Sequence, residues 1–168
     1  MSTFRDLVPP FFADLSRANP VLATALGKHD HDAEWPDLSP AGTAARRAIL
    51  DRWEEAFAAL PEGDLDRDES VDREIVVGEL AAYRFSDSIL CEEAWDPLST
   101  VYLVGSGLHS LLAREFAPLG VRLAAAAGRI EGIPRLMAAA SARLTGLPGR
   151  PVSRLHLDTA LRHLPGTA

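Results

Sequence analysis

The chain has one cysteine, Cys91, and one lysine, Lys28; every other cation is arginine. A single cysteine excludes an internal disulfide framework and a multi-cysteine zinc site, and it suits a reducing compartment. No apolar run approaches the ~20 residues a membrane helix needs. The opening residues Met1 to Asp6 lack the basic-then-apolar layout of a secretory signal. The expected location is therefore the cytoplasm, with no membrane partner. Leu164-Pro165-Gly166-Thr167-Ala168 is followed by no apolar tail and reads as a frayed end.

Positive charge is also scarce, and the formal net charge is −7. That argues against nucleic acid as a partner, because phosphate binding needs a basic face. The imbalance is uneven: residues 1–100 carry a net −12 and residues 101–168 a net +5. The two halves either pack on each other or present different solvent faces. With 168 residues and 47% hydrophobic content, the expectation is one domain over 1–168. A chain of this length can bury roughly 70% of its unfolded surface without staples.

What is present is helical spacing. Ala45, Ile49, Trp53, Ala56 and Leu60 step by fours and threes, one face of a helix near 40–60 opened by Ser39-Pro40. A second long helix is expected over 68–91. Val71, Ile75, Gly78, Ala82, Phe85 and Ile89 form one of its stripes, and Val76, Leu80, Tyr83 and Leu90 a second. So wide an apolar face predicts burial on two sides. Pro9-Pro10 should open a short helix through Leu15, and Asn19-Pro20 another to Leu26, closed by Gly27. Residues 28–38 read as a loop. Further helices are expected near 100–115, from Pro118 with a break or kink at Ile133-Pro134, on to Thr145, and over 152–163. Gly128 should allow close backbone approach. No strand alternation and no internal repeat is found. The fold class is all-α, an irregular bundle of about six to seven helices, with Trp53, Phe57, Ile75, Leu80 and Leu112 in its core.

The densest set of metal-ligand types is His29-Asp30-His31-Asp32. Imidazole and carboxylate suit zinc or iron, but alternate residues of an extended loop point to opposite sides. A hydrogen-bonded polar loop accounts for the same residues. His156 and His163 lie two helical turns apart, too far for joint ligation, and His109 sits among leucines as a partly buried histidine. The chain has no His-Glu-x-x-His, no Gly-x-Ser-x-Gly elbow around Ser106, and no glycine-rich phosphate loop. Carboxylate pairs such as Asp66/Asp68 and Glu92/Glu93 suit helix ends. No catalytic or cofactor-binding residue is assigned.

Several segments, in order, carry a resemblance. They are Ala25-Leu26-Gly27-Lys28-His29-Asp30, Trp35-Pro36-Asp37-Leu38-Ser39, Asp96-Pro97, Tyr102, Leu112 to Pro118, and Arg129-Ile130-Glu131-Gly132-Ile133-Pro134-Arg135-Leu136. Together they resemble the N-terminal helical part of the bacterial domain of unknown function 885 family, grouped with zincin-type metallopeptidases. The resemblance implies a longer protein whose His-Glu metal motif lies downstream, with zinc expected only in full-length members. No position here matches that motif. The resulting expectation is a non-catalytic helical domain of a zinc-dependent hydrolase family, either truncated or completed elsewhere. The alternatives are a self-sufficient helical binding protein and, behind it, a small metal-dependent hydrolase built on His29 to Asp32. An incomplete domain should also expose an apolar face, expected along 101–147, and self-associate or await a missing C-terminal catalytic portion.

Overall fold

The computed structural model describes residues 3–163, and the expected frayed end at 164–168 lies outside them. The chain is all-α, 75% helical with seven helices and no strand among the described residues. The helices are α1 (Phe4–Ala18), α2 (Pro20–Ala25), α3 (Pro40–Ala58), α4 (Arg67–Phe85), α5 (Leu98–Ala113), α6 (Leu119–Arg143) and α7 (Arg154–His163). A π-helical turn, Ser86–Leu90, extends α4.

Local sequence sets the ends of these elements. Thr3 and Asp6 form a reciprocal capping box that starts α1, and Asp66 with Glu69 does the same for α4. Proline stands at the first position of both α2 and α3, behind the capping side chains of Asn19 and Ser39. Gly27 (φ 82°) ends the run after α2.

Two proline readings are corrected. The first helix does not begin at Pro9-Pro10 but five residues earlier, and it runs through both. The Thr3/Asp6 box satisfies the free N–H groups upstream, and Phe4 and Phe11 both enter the core, so one helix is favoured despite the missing donors. Nor is the chain broken at Pro134: α6 is a single helix of 25 residues. Its buried face, Arg122, Ala126, Arg129 and Leu136, crosses the proline, and packing along that face outweighs one lost backbone bond.

α1, α3 and α4 enclose an aromatic core of Phe4, Phe11, Trp53, Phe57, Leu60 and Leu80. Phe11 meets Phe57 edge-on at 5.4 Å and Trp53 edge-on at 5.6 Å, the geometry aromatic quadrupoles favour. The Trp53 indole N–H donates to Asp14, 3.1 Å away. α5 packs on α6 and α2, and α7 covers part of α5.

Trp53, Phe57 and Leu80 are buried, as expected of the core, but Ile75 is 58% and Leu112 48% exposed. On α4 only the Val76-Leu80-Tyr83 stripe faces the bundle; the stripe from Val71 to Ile89 faces outward. Burial on two sides is thus overturned: α3 and α1 cover one side of α4, and no described element covers the other. On α5 the buried position is Leu111, fully enclosed, one residue and about 100° of helix rotation from Leu112. The same rotation leaves His109 exposed rather than partly buried. Exposed apolar side chains do occur along 101–147, among them Tyr102, Leu119, Val121 and Ile130.

Truncating Trp53 to alanine should lower stability by about 3–5 kcal/mol. Ile75→Ala should change it by no more than about 0.5 kcal/mol. Chemical denaturation midpoints of the two variants check both values; equal losses would contradict the outward orientation of the Ile75 stripe.

Candidate functional site

The strongest polar constellation is built on the loop between α2 and α3. Its anchor is Arg129, on the inner face of α6, whose side chain is fully buried. An isolated buried charge is strongly unfavourable, so each guanidinium N–H needs an acceptor. Nε donates to the Glu34 carbonyl at 3.2 Å, Nη1 to the Gly107 carbonyl, and Nη2 to the Pro20 carbonyl at 3.3 Å and the Thr24 hydroxyl at 2.7 Å. Burial pulls the guanidinium below the usual arginine range, and the nearby Asp32 carboxylate opposes that shift; arginine nevertheless stays protonated in proteins.

The network continues outward. The Thr24 hydroxyl, 2.6 Å from Asp32 Oδ1, donates to it. Asp32 Oδ2 lies 2.9 Å from His29 Nδ1, and the His29 ring stacks on Phe116 with centroids 3.7 Å apart and planes 6° from parallel. Four groups therefore run in line from a buried cation to a half-exposed imidazole: Arg129, Thr24, Asp32, His29.

Trp35 closes the same loop. Its indole N–H donates to the Arg129 carbonyl at 2.6 Å, and the Arg129 guanidinium sits 5.4 Å from the ring centre. The ring reaches that place because α5 and α6 carry glycine there. A Cβ on Gly107 would stand 2.5 Å from the ring, and one on Gly132 2.8 Å from it. Gly128 likewise admits Ala33, whose Cβ a methyl group would meet at 2.9 Å, the close approach expected of that residue. Beside the ring lies a cavity of about 260 Å³ flanked by Asp37 and Arg135. Asp37 accepts the Ser39 backbone N–H at 2.9 Å, and that bond holds its carboxyl below the ordinary aspartate range. Its contribution to stability is present above the unfolded-state value and is lost as pH falls through the folded one.

The four loop residues are placed as follows. His29 and Asp32 pair with each other. His31 turns to a different carboxylate, Glu34, at 3.1 Å, and Asp30 is exposed. Among the described residues no three His, Cys, Asp or Glu side chains gather as a metal-holding group. His156 bonds Asp96 at 2.9 Å, while His163 lies against Tyr102, so these two serve separate contacts. The described residues thus offer no ready set of three ligands for a zinc ion.

Sequence reasoning gave no role to Arg129, Thr24, Trp35 or Phe116. One signal was available: the apolar face of α6 carries two arginines seven residues apart, Arg122 and Arg129. Arg122 is buried too, and it donates to the Leu112 carbonyl at 2.9 Å and the Ala117 carbonyl at 3.0 Å. It thereby satisfies the open C-terminal end of α5.

A second concavity lies between α1, α2 and α4. It is about 260 Å³ and almost wholly apolar, lined by Phe11, Phe12, Leu22, Leu26, Ile75 and Leu80.

A helical domain whose loop is pinned to a buried arginine is the class these features define. The chain belongs to the bacterial family of proteins of unknown function DUF885, which it matches over residues 20–168. It also superposes on a solved structure from Shewanella oneidensis, described as a candidate lipoprotein of unknown function, with a TM-score of 0.84 and 23% identity. The superposition covers 100% of this chain and 30% of that one, so the chain spans under a third of the length of the protein it matches. At that identity the likeness shows the fold alone. No curated protein matches the chain.

Arg129→Ala should cost about 3–5 kcal/mol, because four acceptors lose their donor in a buried place; thermal or urea unfolding measures it. Gly132→Ala should destabilise the native chain even though alanine favours helix by up to ~1 kcal/mol. In a Trp35→Ala background the same change should become stabilising. A Gly132→Ala effect independent of Trp35 would show that the ring does not require the glycine.

Proposed function

We propose that this chain is a non-catalytic helical domain, equivalent to the N-terminal part of a longer zinc-dependent hydrolase or peptidase of the DUF885 type. It scaffolds or covers a cleft supplied by sequence outside it. The observation that carries this reading is the coverage: the whole chain superposes on 30% of a longer solved chain. Exposed apolar side chains on α4, α5 and α6 support it, since monomeric proteins seldom leave large apolar patches uncovered. Zinc belongs to the full-length protein in this reading, not to His29, Asp30, His31 or Asp32.

A second reading rests on the groove between α1, α2 and α4. Its apolar lining suits a self-sufficient binding protein that takes an apolar ligand there. We assign the chain to the cytoplasm, a placement supported by its single free cysteine. None of the described helices is long and apolar enough to cross a membrane. Cell fractionation tests the placement: recovery in the membrane fraction overturns it.

The purified chain should bind a hydrophobic dye and self-associate as its concentration rises. Strictly monomeric sedimentation without dye binding overturns the incomplete-domain reading. The chain should also hydrolyse no peptide in a chelator-sensitive way. One tightly held zinc per chain, with hydrolysis abolished by His29→Ala, overturns the non-catalytic assignment.

A further inference from the structure

The outward stripe of α4 has a spacing that its place on the surface does not require. Val71, Ile75, Gly78, Ala82 and Phe85 follow one another by four, three, four and three residues, and Ile89 continues the step in the π-helical turn. That is the seam of a coiled coil, an apolar repeat averaging 3.5 residues. All six positions are exposed. A surface helix that served only this bundle would need apolar residues on its inner face alone, and α4 already has that face in Val76, Leu80 and Tyr83. Gly78 and Ala82 leave the middle of the seam shallow; a Cβ on Gly78 would meet nothing within 4 Å. A second helix can approach closely at that point.

From Val71 onward the charges beside the seam are all acidic, and the exposed Arg67 lies one turn before it. Asp72 and Glu79 flank it on one side and Glu74 on the other, all exposed. None of the three is ion-paired with another described residue. The two cations of α4 within the span of the seam are turned away: Arg84 binds Glu54 and Asp51 of α3, and Arg73 donates to the Leu60 carbonyl. Pairing α4 with a second copy of itself would set acid against acid along both flanks, which disfavours association.

We propose that α4 docks an amphipathic helix with a matching apolar seam flanked by Lys or Arg, supplied by the remainder of the longer protein. This rests on the incomplete-domain reading and adds the chemistry of the covering segment. The apolar groove at Ile75, floored by Phe12 and Leu26, gives that helix a lateral seat.

The test uses two synthetic helical peptides with leucine at alternating four- and three-residue spacing, one flanked by lysine and one by glutamate. Binding to the purified chain is followed by fluorescence anisotropy. The lysine peptide should bind about tenfold or more tighter than the glutamate peptide, the sum of several exposed ion pairs, with the difference shrinking as salt is raised. Ile75→Asp should abolish binding of both. The triple variant Asp72→Lys, Glu74→Lys, Glu79→Lys should reverse the preference. All substituted positions are exposed, and circular dichroism confirms that each variant is folded. Equal binding of the two peptides, or binding of neither, overturns the proposal. So does dimerisation of the chain that Ile75→Asp abolishes, since the seam would then belong to a second copy. If neither peptide binds but the chain still takes up dye and self-associates, only this inference fails. If dye binding and self-association are absent as well, the incomplete-domain reading fails with it.

Discussion

A buried charge must be satisfied completely or not placed at all, and Arg129 imposes that condition on much of this molecule. Its acceptors come from α2, from the loop before α3, and from α5, while its own backbone belongs to α6. Four segments remote in sequence are held in one arrangement, because any relative shift leaves a guanidinium N–H or a carbonyl without a partner. The aromatic core between α1, α3 and α4 works differently. Apolar contact tolerates small adjustments, so that part of the chain is fixed by shape and volume, and the loop side by direction.

Charge is sorted on the same scale. On α4 Arg84 faces α3, where Glu54 and Asp51 raise the proton affinity of its guanidinium further. Asp72, Glu74 and Glu79 are left outside. Tyr83, on the inner side, has its phenol pushed up by burial and then by Glu79. The acidic excess of residues 1–100 is therefore no uniform coat. Part of it, Asp72, Glu74 and Glu79, lies beside an uncovered apolar stripe.

Helix number, class and most boundaries were legible in the sequence because period and capping are local: Ser39-Pro40 and Asn19-Pro20 each announce a helix start within two residues. Orientation was not. Both stripes of α4 satisfy helical spacing, and which one is buried depends on where α1 and α3 lie. Leu111 and Leu112 differ only by a rotation that the packing of α5 on α6 decides. Pro9, Pro10 and Pro134 were read by their local cost, whereas the burial on either side of each outweighed it. The pairing of His29 with Asp32 lies within three residues and was within reach of sequence reasoning. Its continuation to Thr24, Arg129 and Phe116 spans up to about a hundred residues and was not.

The family match begins at Pro20, at the first residue of α2, while Phe4 and Phe11 of α1 supply two of the six buried members of the aromatic core. The limits of recognisable sequence and the limits of a cooperative folding unit therefore fall in different places. A fragment cut where the match begins would keep every residue of the arginine cage. It would also uncover Trp53 and Phe57 to water, so the piece that looks most like the family would be the less soluble one.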